Sequence, residues 1–227
     1  MKLNVFIAGQ KWIGAEVYKA LKEQGLVNIA GVCAPFTTDE RKDRLYFSAS
    51  RDRVPLIRAG TLNADNFPDN IDLIIAAHSH DFIGERTRLR ARLGGIGYHP
   101  SLLPLHRGRD AIRWALRMND RVTGGTVYKL SNKMDGGDIL AQQHIVIDPN
   151  KCTAESLWRE SLAPMGVRLI LDAVKQIVET DRVVGERQDE SLATWEPSID
   201  RQPAFRPDLI LLEYNEVLNV KTTASTN

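Results

Sequence analysis

"GIGYHPSLLPLHRGRDAIRW", residues 95–114, decides how this chain is read. Its first five residues form a short apolar run ending in His99 and read as a buried strand. Pro100 and Pro104 then interrupt regular structure. Arg107 and Gly108 turn the chain into a helix over 111–119 that carries Trp114. A histidine therefore stands at the carboxyl end of a strand, which is where open α/β sheets bind ligands. Taken alone, a histidine beside proline at a strand end is as readily structural as catalytic, so the flanks must be read.

Upstream, "LNVFIA" (3–8) is a strand closed by Gly9. In "AEVYKALKEQG" (15–25), Val17, Ala20 and Leu21 share one helical face, and Gly25 supplies the stop. "VNIAGVCA" (27–34), "VPLI" (54–57) and "IDLIIAA" (71–77) read as three more strands. The last is almost wholly hydrophobic, as in a strand covered on both faces. "ERTRLRARL" (85–93) reads as a helix before the strand that ends at His99. Such alternation predicts a parallel sheet with crossover helices.

Downstream the pattern changes. "TGGTVYKL" (123–130) and "DILAQQHIVI" (138–147) read as a longer, antiparallel pair. Residues 153–180 are helical, with a break or kink expected at Pro164. Beyond 181 the chain is polar and irregular. A last helix is expected over 207–219, then a frayed tail. The expected organisation is an α/β catalytic domain over 1–180 with a short extension over 181–227.

Composition narrows the function. The 227 residues are 43% hydrophobic, enough for a sizeable core. Lys plus Arg is 30 against 29 Asp plus Glu, a formal charge of +1, which argues against nucleic acid and anionic membranes as partners. No apolar run reaches the roughly 18 residues of a transmembrane helix. The two cysteines, Cys33 and Cys152, lie far apart in no metal spacing, so a reducing cytoplasm is expected. The sequence leaves the oligomeric state open. Arg86, Arg88, Arg90 and Arg92, like Arg109, Arg113 and Arg117, read first as solvated helix faces. Their second reading is a rim for an anionic ligand.

Several familiar signals fail. "GQKWIG" (9–14) has the glycine spacing of a phosphate loop, but Ala15 and Glu16 replace its Lys and Ser/Thr. The second strand ends without the carboxylate of a dinucleotide site. His78, His80 and Asp81 fall in "HSHDFI" without a second ligand cluster, so no metal is expected. What remains is His99, the Arg107–Gly108 turn, and Asp135 on the glycine-flanked turn "MDGGDIL".

Taken in order, "YHPSLLPLHRG", Trp114, "TGGTVY" and "MDGGDIL" resemble the folate-dependent formyltransferase family. That family includes glycinamide ribonucleotide, methionyl-tRNA and sugar N-formyltransferases, and the hydrolase domain of 10-formyltetrahydrofolate dehydrogenase. The resemblance runs from the first strand to about residue 180. It implies a Rossmann-like formyltransferase fold, the parallel half of the sheet extended by antiparallel strands, and 10-formyltetrahydrofolate as donor. By position, His99 and Asp135 resemble the catalytic pair. The donor pocket would be built from His80, Asp81, Phe82 and Ile83 after the fourth strand, Leu102 of the "SLLP" motif, and Ser131 and Met134 before Asp135.

One member of the family triad, Asn-x-His...Asp, is missing: Gly97 stands in its place. The Asn amide helps hold the oxyanion of the tetrahedral intermediate, and losing one such donor costs about 2.7–4 kcal/mol in a comparable enzyme. A water in space left by Gly97, or the Ser101 hydroxyl, are the expected substitutes. The dehydrogenase's hydrolase domain also lacks the Asn. The expected function is transfer of a formyl group to a small amine. The alternatives are hydrolysis to formate and tetrahydrofolate, or a folate-binding protein without catalysis. No separate tRNA-binding domain is expected, since the extension is short and not basic.

Overall fold

The computed structural model describes residues 2–36, 43–79 and 81–199. Met1–Glu196 form one compact unit and Pro197–Asn227 a second. The sheet and the candidate site belong to the first. The helix expected over 207–219 lies outside the described residues.

Seven strands form one sheet: β1 (Leu3–Gly9), β2 (Val27–Ala34), β3 (Leu56–Arg58), β4 (Leu73–Ala77), β5 (Gly95–His99), β6 (Val122–Lys129) and β7 (Ile139–Val146). They lie in the order β3-β2-β1-β4-β5-β6-β7. Neighbours are parallel from β3 to β5; β6 and β7 add antiparallel. This is the mixed α/β sheet the strand pattern predicts.

Alternation along each strand feeds two cores. Val5 and Ile7 enter a large core with Val17 and Leu21 of α1 (Lys11–Gln24) and Ile170, Val174 and Ile177 of α6 (Ala163–Thr180). Phe6 and Ala8 enter a smaller core with Ile74 and Ile83 on the opposite face. Each large apolar side chain removed from water contributes roughly 1.5–3 kcal/mol, so the sheet's position is strongly determined.

The chain winds outward from β1 to β3, then returns to β4 on the other side of β1. The reversal opens a crevice at the carboxyl ends of β1 and β4. Gly9 ends β1 opposite Ala77, and a Cβ there would sit 2.3 Å from the Ala77 carbonyl oxygen. A side chain at 9 would force the two strands apart at the reversal.

Three local differences from the expected elements have physical causes. A helix forms where none was expected: α2 (Arg44–Arg51), capped by the Asp43 carboxylate, which accepts from the Leu45 and Tyr46 amides. It buries Leu45 and Ala49, four residues apart on one face. The helix expected over 85–93 is only α3 (Glu85–Arg88). Its continuation is pulled away because the Arg92 and Leu93 amides bond to the Ile71 and Asp72 carbonyls at the foot of β4. The break expected at Pro164 begins earlier: α5 (Ala154–Leu157) runs into a π-turn, Trp158–Leu162, before α6 starts. Pro164 then follows directly on the π-turn, inside a helical stretch that runs unbroken from Ala154 to Thr180, so the irregularity lies just before the proline.

Candidate active site

Along β5, Ile96 and Tyr98 point into the large core, and the Tyr98 hydroxyl donates to the Leu162 carbonyl at 2.7 Å. Gly95, Gly97 and His99 therefore face the other way. His99 is buried at the strand's carboxyl end.

The loop after β5 folds back over it. The Ser101 hydroxyl donates to the Leu105 carbonyl at 2.6 Å, and Thr126 Oγ1 donates to the Ser101 carbonyl at 2.7 Å. Gln142 Nε2 donates to the Leu103 carbonyl at 2.9 Å. The Leu103–Pro104 peptide is cis. This folding brings the His106 carbonyl 2.7 Å from His99 Nε2. A carbonyl can only accept, so Nε2 carries the proton and Nδ1 is the ring's other working atom.

Nδ1 faces Asp135, 3.6 Å from Oδ2. That is longer than a direct hydrogen bond, so either group can exchange a proton with a third atom. Asp135 sits at φ 50° on the turn between β6 and β7. Its Oδ2 accepts from the Gly108 amide at 2.7 Å and its Oδ1 from the Tyr128 hydroxyl at 2.5 Å.

A strap formed by residues 185–196 closes the site from outside. Glu186 exchanges backbone hydrogen bonds with Ile139 at the start of β7. Gln188 Nε2 donates to the Asp135 and Gly137 carbonyls at 2.8 and 2.7 Å. The buried Arg107 guanidinium donates in turn to Gln188 Oε1, at 2.7 Å from Nη2, and to both carboxylate oxygens of Glu190. Arg107 holds the Glu190 carboxyl below its usual range. The buried His106 is clasped on both ring nitrogens, Nδ1 by Glu196 at 2.9 Å and Nε2 by Asp120 at 2.8 Å.

The two loops expected to line the donor pocket are tied to each other by Arg88. Its guanidinium donates to the Ile83 carbonyl at 2.9 Å and to Asn132 Oδ1. Arg88 is buried, which pulls its pKa down, with Glu85 opposing. The expectation of a solvated face fails at this residue. Its neighbours pair instead: Arg86 with Asp65, Arg90 with Asp69, and Arg92 with both Asp72 and Asp181. On α4 (Ala111–Arg117), Arg117 lies over the Trp114 ring.

The remaining expected site residues divide. Phe82 and Met134, one on each loop, are exposed apolar side chains. Leu102 is half-buried. Ile83 is buried in the smaller core. Asp81 is committed elsewhere: it accepts from the Gly60 amide at 2.5 Å and the Cys33 thiol at 3.5 Å. Burial first, then Asp81, pushes that thiol well above its usual range. Ser131 closes its own turn by bonding to Lys133. His78 meets the Trp158 ring edge-on at 5.3 Å. His80 lies outside the described residues.

Neither expected substitute for the missing amide survives. The Ser101 hydroxyl is spent on Leu105. The space beside Gly97 is filled by protein: a Cβ there would lie 3.0 Å from Leu130 Cδ2 and 3.2 Å from Tyr128 Cε1. Tyr128, Gln188, Arg88 and Glu196 were missed as site residues. Pairing "GIGYH" with "TGGTVYKL" in register would have revealed Tyr128 opposite Gly97. The strap residues carry no periodic signal.

Comparison with known proteins fits this geometry. The family model described as Formyl transferase matches residues 1–174. The chain is 31% identical over 205 residues to mitochondrial 10-formyltetrahydrofolate dehydrogenase of Mus musculus, covering 86% of this chain and 22% of that protein. It is 29% identical over 208 residues to methionyl-tRNA formyltransferase of Lactobacillus delbrueckii subsp. bulgaricus, covering 87% of this chain and 65% of that one. This chain thus spans only about a fifth of the dehydrogenases' length. Among solved structures, the N-formyltransferase from Helicobacter canadensis, crystallised with folinic acid and dTDP-3-aminofucose, superposes with a TM-score of 0.70 at 16% identity, over 88% of this chain and 72% of that one. That last likeness speaks for the fold, and the match over residues 1–174 speaks for descent: the chain belongs to the formyltransferase family.

Proposed function

We propose that this chain transfers a formyl group from 10-formyltetrahydrofolate to a small amine, with His99 and Asp135 as the reacting pair. One observation carries the reading: His99, with its tautomer fixed through Nε2, presents Nδ1 to the Asp135 carboxylate at 3.6 Å at the carboxyl end of the sheet. The donor is the second substrate. On the two loops that Arg88 joins, Phe82 and Met134 are the exposed apolar side chains that would meet it.

The chemistry needs little else. The amine nitrogen attacks the formyl carbon, the carbonyl oxygen becomes an oxyanion, and collapse breaks the bond to N10 of the folate. A proton leaves the amine and one arrives on N10, so the sum is a formamide plus tetrahydrofolate. His99, when protonated, stabilises the oxyanion from Nδ1, and Asp135 takes the amine proton, the division of labour expected of paired acid and base groups.

Water as acceptor is the second reading. It is favoured by the missing amide at 97 and by the 31% identity to a 10-formyltetrahydrofolate dehydrogenase. It is weakened by the filled space beside Gly97. The deciding experiment is incubation with 10-formyltetrahydrofolate, first alone and then with a panel of amines, following tetrahydrofolate and formate, with His99→Ala as control. The expected result is release of tetrahydrofolate that depends on both an amine and His99. Formate release without amine, still requiring His99, makes water the acceptor. Donor binding without turnover under any condition reduces the protein to a binder and overturns the proposal.

A further inference from the structure

Tyr128 lies across from Gly97 and reaches Asp135. β5 and β6 pair antiparallel with Gly97 opposite Tyr128. Directly opposed residues of such a pair project from the same face. A Cβ at 97 would already lie 3.2 Å from Cε1 and 3.3 Å from Cζ of the Tyr128 ring. Leu130 Cδ2 would lie closer still, at 3.0 Å, so an asparagine at 97 would have to push back both Leu130 and this ring. The ring carries its own donor into the site, since its hydroxyl meets Asp135 Oδ1 at 2.5 Å.

We propose that Tyr128 is a positioning residue standing in the place of the triad amide, its phenol holding the Asp135 carboxylate so that the other oxygen faces His99. This rests on the reading of His99 and Asp135 as the reacting pair. The carboxylate is pinned at two points, by Tyr128 on Oδ1 and by the Gly108 amide on Oδ2. With two anchors its plane is fixed; with one it turns about the Cβ–Cγ bond, and Oδ2 loses its alignment with Nδ1. Burial first, then the Asp135 charge and hydrogen bond, push the phenol well above its usual range, so it remains a donor at neutral pH. The exchange replaces a group aimed at the oxyanion with one that acts through the base. The oxyanion is then left to His99.

The test is Tyr128→Phe in the full chain, which keeps the ring and its packing over Gly97 and removes only the hydroxyl. With 10-formyltetrahydrofolate as donor and tetrahydrofolate release as readout, kcat should fall roughly 10- to 100-fold, as for partners that orient a working group elsewhere. Donor KM should be unchanged. The His99 imidazole 15N resonances read the same contact without turnover, and should move in Tyr128→Phe. A second variant removes dependence on that one: Tyr128→Ala, which also frees the Asp135 carboxylate, should lose at least as much, again in kcat and not in donor KM. Parent kcat with unmoved His99 resonances in Tyr128→Phe, or parent kcat in Tyr128→Ala, overturns the proposal. A loss confined to KM or to Tm does the same. His99→Ala separates the two levels: an active His99→Ala refutes the reacting pair itself, whereas an inactive one beside a fully active Tyr128→Phe refutes only the role of Tyr128.

Discussion

His99→Ala and Asp135→Ala should each lose formyl turnover by about 10³-fold or more while donor affinity stays within about twofold, the behaviour of groups that act in the transition state and not in binding. Both side chains lie at the carboxyl edge of the sheet, outside the large core, so neither variant should unfold the chain. His99 gives up one hydrogen bond, to the His106 carbonyl. Asp135 releases the Tyr128 hydroxyl and the Gly108 amide, while the backbone pairing of Tyr128 within the sheet is kept. The losses should not add: combining the two should cost little more than either alone, as for residues that work as a unit. Single-turnover assays with 10-formyltetrahydrofolate, alongside equilibrium binding of tetrahydrofolate, check both claims. Near-parent turnover in either single variant would remove that residue from the reaction.

Arg107→Met has the second large effect, on stability. Arg107 is 3% exposed and donates to Gln188 Oε1 and to Glu190. Methionine fills most of the volume but donates nothing. Glu190 is partly exposed and can return to water; Gln188 is buried and cannot, leaving its acceptor unsatisfied. Charge-assisted bonds and the stranded acceptor together make the expected cost about 3 kcal/mol. For a chain of this size that lowers Tm by roughly 6–12 °C. Arg107→Lys should restore less than half of it, because a single ammonium cannot reproduce the guanidinium fork between two partners. Thermal unfolding followed by circular dichroism measures both. Because Gln188 also holds the Asp135 and Gly137 carbonyls, kcat should fall in Arg107→Met at temperatures where the chain is still folded. A Tm within about 2 °C of the parent, on a scale of about 2–4 °C per kcal/mol, would show that the fork contributes far less than expected.

The strands could be read because they are apolar on both faces. "LNVFIA", "VNIAGVCA" and "IDLIIAA" have no other way to bury their side chains, and the structure places all three where the runs predict. The helices were harder where tertiary contacts override local pattern. α2 hides in a charged stretch and announces itself only through its Asp43 cap, and α3 ends early because its last amides find partners in β4's approach. At the site, His99 and Asp135 stand out by motif and position. Tyr128 does not, because its meaning depends on strand register: only opposite a glycine does that ring enter the space of a missing side chain. Arg88 was misread for a related reason, since a helix that stops after one turn buries what a longer helix would expose.

The strap over the site has a further consequence, for the order in which parts of the molecule come and go. Its bonds join residues far apart in the chain: Arg107 to Gln188 spans 81 positions and His106 to Glu196 spans 90. Closing such loops costs entropy, and the strap repays it with polar contacts and almost no buried apolar surface. The strap is therefore the natural place for the molecule to open first and close last, a local unfolding that leaves the two cores intact. Competence for chemistry in this chain is a property of its least stable part.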